Sequence, residues 1–442
     1  MKSSVSNREI WRIAVPIILG NLAQTIITFT DTAFLGHLGV VELGASMIAG
    51  LYYFVFTTMA MGFAVGIQII TARRYGEQNF HRIGIIFQHG AIFIFCLGVI
   101  LFTVLSVFSG HILQFIIDSD NIYAASMEYI KYRQYGIIIV CFNYLYRSLY
   151  IGISDTKVIT YSTVIMAVVN IILDYCLIFG NWGFPDMGVG GAALASFMAE
   201  VSAFIFFNIY SYLYFRKSDY GMFKIHRMEK DLMKRILKVA TPTMIQKLLS
   251  FSSWFIFFIF IEKMGETAIG ISSIVRSVYM IMFIPVIGFA STSNTLTSRI
   301  IGEGKSDEVL STTTKVLYNC LLCCVFLVGF AALFPTQIMS IYTEDSELAR
   351  IAIPSIYVVC VSTFLQAFGC NYFETISGTG NTRSALFVEL GILAIYVIYT
   401  WIMTKITTDI QWVWTAEFVY GILIGFASLV YIKFAKWQKK TV

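Results

Sequence analysis

Charged side chains are scarce in this sequence. Lys, Arg, Asp and Glu together make up 13% of its residues, about half the share of a typical soluble domain. Hydrophobic residues reach 57%, in runs long enough to cross the ~30 Å hydrocarbon core of a bilayer as helices of ~20 residues. These runs also lack the alternating pattern of membrane barrels. We therefore exclude a soluble domain and predict an all-α polytopic membrane protein.

Several chemical signatures are missing as well. The sequence contains no nucleophile–base constellation of the kind that would indicate an enzyme. The glycine-rich turns at 152–157 and 378–383 lack the phosphate-binding pattern of ATP sites. The eight cysteines lie in or beside apolar runs, so we expect packing roles and no cofactor. The net charge of +5 follows from the bias of Lys and Arg toward one membrane face and from contact with anionic lipid, and it predicts no nucleic-acid partner.

We count twelve apolar spans, six on each side of one long charged connection. The predicted spans are 10–36, 47–70, 84–109, 127–151, 158–180, 189–214, 236–261, 273–298, 314–334, 350–376, 384–404 and 412–435. We therefore predict an N-terminal six-helix bundle at 1–214, a cytoplasmic linker at 215–235 and a C-terminal six-helix bundle at 236–442.

The distribution of Lys and Arg predicts the orientation. With a cytoplasmic N-terminus, the cytoplasmic segments hold most of the 31 Lys and Arg residues. The outer loops hold Lys263, Arg350 and Lys405, joined by Lys131 and Arg133 if these are counted there. We expect both termini in the cytoplasm, a bacterial inner membrane as the default location, contact with membrane lipid, and a monomer.

The second half of the chain repeats the first at an offset of 226 residues. Arg12–Pro16 recurs as Lys238–Pro242, and Gly62–Ala64 recurs as Gly288–Ala290. Paired halves in a membrane chain are typical of secondary transporters. Because six spans return the chain to its starting side, the two pseudo-symmetric halves are parallel repeats with a cleft between them. We expect alternating access by rocking of one half against the other.

Each half carries a proline inside its first span, at Pro16 and Pro242. Proline removes a backbone hydrogen bond and clashes with the preceding turn, so both helices should kink. Pro16 is therefore a candidate hinge, and a static bend is the alternative.

Two acids lie deep inside apolar spans. Asp31 is in the first span and Asp174 is in the fifth, where Asn170 shares its helix face four residues earlier. Ionised residues at bilayer depth are costly and mark functional candidates. Two carboxylates and an amide oxygen suit Na⁺, or a proton shared between the acids. The alternative is a pair of acids that only bond to neighbouring helices.

Further charges lie inside the predicted spans. The candidates for charges in the cavity are Lys247, Glu389, Arg276 and Glu200. Lys247 and Glu389 are both deep in the second half, and pairing between them is the simpler expectation, with one of them facing the cavity as the alternative. Glu374 is closer to the cytoplasmic boundary.

Taken in order, these features resemble the multidrug and toxic compound extrusion (MATE) transporters over essentially the whole chain. Pro16 is followed by Asp31–Gly36, then by the Asn170 and Asp174 pair, and then by Gly190–Ser196 at the opening of the sixth span. The resemblance implies a V-shaped pair of bundles and an efflux antiporter driven by inward Na⁺ or H⁺.

The resemblance also implies roles for particular residues. In the DinF-like branch, a cation site uses an aspartate of the first span, an asparagine and an aspartate of the fifth, and a hydroxyl of the sixth. These roles fall on Asp31, Asn170, Asp174 and Ser196. The NorM-like branch adds acids at places that correspond here to Ser250 and Gln366. Neither residue is acidic, so the chain is placed nearer the DinF-like branch.

We therefore expect a cation-coupled antiporter that exports amphipathic, cationic organic compounds and needs no cofactor beyond the coupling Na⁺ or H⁺. A flippase for lipid-linked sugars or lipids is the alternative. Such cargo should require a strongly basic cavity, whereas the deep basic residues are chiefly Lys247 and Arg276. A non-transporting receptor or channel is a third hypothesis, but such a protein would not require duplicated kinked helices.

Overall fold

The computed structural model describes residues 4–215, 220–224, 226–342 and 346–438. Over these residues the chain forms fifteen α-helices and two short 3-10 helices, and no strand. The all-α prediction is confirmed.

The helices follow the repeat along the chain. In the first half they are α1 (Asn7–Leu38), α2 (Val40–Gly76), α3 (Phe80–Ile116), α4 (Asp120–Arg133), α5 (Gly136–Gly152), α6 (Lys157–Phe179) and α7 (Gly188–Phe215). In the second half they are α8 (Lys230–Glu262), α9 (Glu266–Gly302), α10 (Val309–Leu333), α11 (Pro335–Tyr342), α12 (Ser346–Gly378), α13 (Thr382–Ile406), α14 (Ile410–Trp414) and α15 (Ala416–Phe434). The 3-10 helices are Asn181–Gly183 and Ser306–Glu308.

Most of the predicted spans correspond to single helices. Eleven helical segments of the described chain are long and apolar enough to cross a membrane, and α5 is a shorter apolar helix. The chain is therefore an integral membrane protein.

The predicted span 127–151 is not one continuous helix. It is divided between α4 and α5, with Gln134 and Tyr135 between them. The Gln134 side chain bonds locally there, donating to the Lys131 carbonyl at 3.1 Å and accepting from Ser106 Oγ at 2.9 Å. The last span, 412–435, is also interrupted, at Thr415 between α14 and α15.

The chain divides into two compact units. One unit comprises Met1–Ile18 and Ile245–Val442, and the other comprises Leu19–Met244. Each division falls two residues after the proline of a first helix, Pro16 or Pro242. The helices α1 and α8 are therefore both shared between the units. The predicted bundles at 1–214 and 236–442 follow the sequence repeat, whereas these packing units exchange the beginnings of α1 and α8.

Specific bonds hold the exchanged helix beginnings in place. In α1, Trp11 Nε1 donates to Asn319 Oδ1 at 2.7 Å, and Glu9 pairs with Arg299 at 2.6 Å. In α8, Thr243 Oγ1 donates to the carbonyl of Gly62 at 2.8 Å. Each helix beginning is thus bonded to the unit with which it is grouped.

The connection between α7 and α8 is attached to α3, although residues 216–219 and 225 of the predicted linker lie outside the described part. Gln88 donates to the His226 carbonyl and accepts from the His226 N–H, both at 2.8 Å. Arg82 pairs with Glu229 at 2.8 Å and lowers the pKa of that carboxyl by hydrogen bonding to its charged form.

The helices α6 and α7 approach each other closely in the unit Leu19–Met244. A Cβ placed on Gly191 would lie only 2.4 Å from the carbonyl oxygen of Leu177. Glycine is therefore required at this crossing, because any side chain would force the two helices apart. The crossing fixes α6 beside α7, and both helices carry candidate site residues.

We predict that Gly191→Ala destabilises the protein by about 1–3 kcal/mol, since the added methyl must displace backbone. The measurement is thermal unfolding of the purified protein in detergent. Gly50→Ala is the matched control, because a Cβ there meets no atom within 4 Å. The control should leave the stability unchanged or slightly raised. Equal stability of both variants would contradict the close crossing.

Candidate functional site

The four residues predicted for a cation site come together in the unit Leu19–Met244. Asp31 lies on α1, Asn170 and Asp174 lie on α6, and Ser196 lies on α7. Ser196 Oγ donates to Asp31 Oδ2 at 3.5 Å, a long bond. The Asp31 carboxyl also interacts with the side chains of Asp174 and Asn170. The spacing of Asn170 and Asp174 on one face of α6 brings both toward α1.

The polar atoms of this cluster are buried and largely without partners. Asn170 and Asp174 are 0% exposed. Asp31 Oδ1, both carboxylate oxygens of Asp174, and both polar atoms of the Asn170 amide lack a hydrogen-bond partner among the described residues. Buried polar atoms in proteins are nearly always bonded. The cluster is therefore a set of buried oxygens without partners, and oxygens are the ligands that hard cations prefer.

A small apolar layer lies next to this oxygen cluster. It consists of Leu35, Ile178, Val189 and Ala192, each at most 4% exposed. Leu35, Ile178 and Ala192 lie four residues, about one helical turn, from Asp31, Asp174 and Ser196 respectively. Phe34 and Phe179 pack against the layer with their rings edge to face, 5.6 Å apart. The layer covers the cluster on the side of the C-terminal ends of α1 and α6.

A buried ion pair lies near the cluster. Arg133, the last residue of α4, binds Glu200 of α7 through two hydrogen bonds, one of them 2.6 Å long. Both side chains are 12% exposed. The guanidinium also lies over the ring of Tyr53, 4.3 Å from its centroid. Glu200, a predicted cavity charge, is thus an ion-pair partner, and Arg133 is a cation close enough to act on Asp31.

The predicted cavity charges of the second half have other partners than expected. Lys247 Nζ pairs with Glu374 at 3.2 Å instead of with Glu389. Glu389 accepts hydrogen bonds from Ser250 at 2.5 Å and Tyr420 at 3.1 Å. These partners are on helices distant in sequence, so the sequence could not choose between the two acids.

Two further residues of the second half, Arg276 and Glu417, contact aromatic or polar side chains. The Arg276 guanidinium lies 5.4 Å from the ring centroid of Phe258, which is a cation–π contact. Glu417, an acid inside the predicted span 412–435 that sequence reasoning missed, accepts bonds from Tyr396 at 2.9 Å, Tyr279 at 3.0 Å and Gln366 at 2.8 Å. Its signal was an acid at bilayer depth, the same signal that identified Asp31.

Aromatic rings occupy the repeat-equivalent places of the oxygen cluster. Phe257 corresponds to Asp31 and Tyr396 corresponds to Asn170, and their rings stack at 6.0 Å. The Trp414 ring lies edge-on to Phe257 at 5.1 Å. The unit that contains Ile245–Val442 therefore has no copy of the cluster at the positions that the repeat would give it.

The family comparison reproduces the internal repeat. A family model described as MatE matches residues 16–176 and, separately, residues 242–402. The two matched segments are offset by 226 residues at both ends, the offset found in the sequence.

Relatives and solved structures cover nearly the whole chain. The probable multidrug resistance protein NorM of Thermotoga maritima is 24% identical over 439 residues, spanning 98% of this chain and 94% of that protein. The probable multidrug resistance protein YoeA of Bacillus subtilis is 23% identical over 451 residues, spanning 99% and 96%. A crystal structure of MATE in complex with MaL6 aligns with a TM-score of 0.89 at 20% identity, spanning 98% and 97%. This structural likeness shows a shared fold.

The buried ion pair yields a stability prediction. Arg133→Met or Glu200→Gln alone should destabilise the protein by about 3–5 kcal/mol, because each leaves an uncompensated buried charge. The double substitution Arg133→Met with Glu200→Leu should recover most of that loss. Thermal unfolding of the purified variants measures both effects. Single variants as stable as the original chain would show that the pair is not formed.

Proposed function

The chain belongs to the MatE family of multidrug efflux transporters, and we propose that it is an antiporter that exports amphipathic, cationic organic compounds in exchange for inward Na⁺ or H⁺. The proposal rests on one observation above all, the buried cluster of Asp31, Asn170 and Asp174 with its unpartnered oxygens. A site of this kind gains from binding a cation or protons, and through such binding the inward gradient of that ion drives export.

The residues of the cluster contribute two kinds of ligand to ion binding. Asp31 and Asp174 supply negative charge, and the amide oxygen of Asn170 and the hydroxyl of Ser196 add neutral oxygens. Entry of a cation or protons neutralises two carboxylates that otherwise repel each other in an apolar setting. The layer around Leu35 then keeps water from the cluster on one side, so that loading depends on the packing of α1 against α6 and α7.

The helix α1 transmits the change in our proposal. Its beginning, up to Ile18, is grouped with one compact unit, and the stretch that carries Asp31 is grouped with the other. Pro16 lies two residues before that division and removes a backbone hydrogen bond from the helix. A bend at Pro16 therefore lets the Asp31 segment shift while the bonds of Glu9 and Trp11 stay in place.

The charges described above favour cationic organic cargo over lipid-linked phosphate. Lys247 is ion-paired with Glu374, and Arg276 lies over Phe258. The ion pair neutralises Lys247, and Arg276 by itself does not make a strongly basic cavity. The acids of both units and the high aromatic content suit positively charged, flat compounds.

We expect Asp31→Asn and Asp174→Asn each to reduce efflux to the background level, because each removes one of the two carboxylates that bind the coupling ion. Efflux of a fluorescent organic cation is measured in proteoliposomes, with Na⁺ and pH gradients imposed separately to identify the coupling ion. Asp118→Asn is the control, since Asp118 is an exposed acid outside the helices. Full gradient-driven efflux by both site variants would overturn the proposed mechanism.

We expect Pro16→Ala to slow gradient-driven efflux by about tenfold, since a straightened, hydrogen-bonded helix loses the hinge on which the transport cycle depends. Pro354→Ala is the matched control, because Pro354 also lies inside a helix but away from the division between units. The control should stay within about twofold of the original rate. A static bend at Pro16 predicts equal rates for both variants.

A further inference from the structure

A second buried carboxyl with a free oxygen lies in the unit that lacks the cation cluster. Glu389 of α13 is 2% exposed. Its Oε1 accepts bonds from Ser250 of α8 and Tyr420 of α15. Its Oε2 is buried without a hydrogen-bond partner among the described residues. The carboxyl is thus held in position by one oxygen and open at the other.

The nearby cation is already engaged by another acid. Lys247 pairs with Glu374 at 3.2 Å, and Glu374 also accepts from Asn294 Nδ2 at 2.9 Å. Glu389 takes part in none of the ion pairs found in the described ranges. One cation therefore faces two acids, and an ionised Glu389 would leave one negative charge uncompensated.

The other ionisable groups around Glu389 do not remove this charge. Its surroundings are Lys247 from α8, Glu374 and Cys370 from α12, and Tyr420 from α15. The short helix α14 that also packs against α13 carries no ionisable residue. Glu417 differs, because three donors bind its two oxygens. Of the buried acids described in this unit, Glu389 is therefore the one with a carboxylate oxygen that lacks a hydrogen-bond partner.

The surroundings favour a proton over a metal cation as that partner. Hard metal cations take a shell of about six oxygens, whereas Glu389 offers one free oxygen and two hydroxyls. The ammonium of Lys247 also acts on Glu389 and would repel a second cation. A proton needs neither a shell nor space, and it makes the carboxyl neutral in its apolar setting.

We propose that Glu389 is a proton-binding site of the unit that contains Ile245–Val442, separate from the cluster at Asp31. The carboxyl takes up one proton from water and is neutral while buried. It releases that proton to water when the packing of α8, α13 and α15 admits solvent, and the existing bonds from Ser250 and Tyr420 then stabilise the carboxylate. This inference rests on the proposed function in one respect only, namely that the proton at Glu389 is a second proton carried in exchange for substrate.

The test uses infrared difference spectra of the full chain in lipid nanodiscs, recorded between acid and alkaline pH. The background carries Asp31→Asn and Asp174→Asn, so the result is independent of the first cluster and of transport. The background should show a protonated-carboxyl band that disappears as the pH rises. Adding Glu389→Gln should abolish that band, whereas Glu417→Gln, in the buried acid whose two oxygens are bound by three donors, should leave it. A spectrum unaffected by Glu389→Gln, or one without any titrating band, would overturn the proposal.

A second variant keeps the test valid if Glu389→Gln does not fold. Ser250→Ala removes one hydroxyl donor that favours the charged carboxylate, so the band should persist to a pH about one unit higher. Ser252→Ala is the control, because that hydroxyl donates to the Leu248 carbonyl. A band that disappears at the same pH in both variants would also count against Glu389.

Discussion

The absence of water in a bilayer interior is the constraint on which this structure depends, because every polar atom there must find its partner within the protein. Hydroxyl side chains meet it locally, as when Thr25 and Thr363 donate to the carbonyl four residues earlier. Charged side chains meet it by pairing, as Arg133 and Glu200 do. Against this background the unpartnered oxygens of Asp31, Asp174 and Glu389 stand out. In the mechanism proposed above, these are the carboxylates that bind and release a cation or a proton.

The duplication preserves the helical scaffold, but it does not preserve the oxygen cluster. Helices α2 and α9 have the same length of 37 residues and the same place in the repeat, and the divisions between compact units obey the same offset. Backbone geometry repeats because long apolar helices depend on a pattern that many side chains satisfy. The oxygen cluster depends on particular atoms, so it is absent where Phe257 occupies the position equivalent to Asp31.

The sequence predicted what depends on local pattern. Long apolar runs predicted the helices, and the four-residue spacing of Asn170 and Asp174 predicted one face of α6, which the structure brings to Asp31. Pairings between side chains on distant helices could not be predicted from the sequence. The choice of Glu374 over Glu389 by Lys247 depends on how α12 and α13 are rotated, and apolar composition does not fix rotation. The interruption at Gln134 was missed for a related reason, since its side-chain bonds require α3 to be in place.

The two acid sites share one relation to the fold. Asp31 lies on α1, and Ser250, which binds Glu389, lies on α8. These are the helices whose beginnings are grouped with the opposite unit, and each has its proline just before the division. A change of charge at either site therefore acts on a helix whose other end is bonded into the other unit. The two halves therefore combine different acid chemistry with equivalent helices of the repeat.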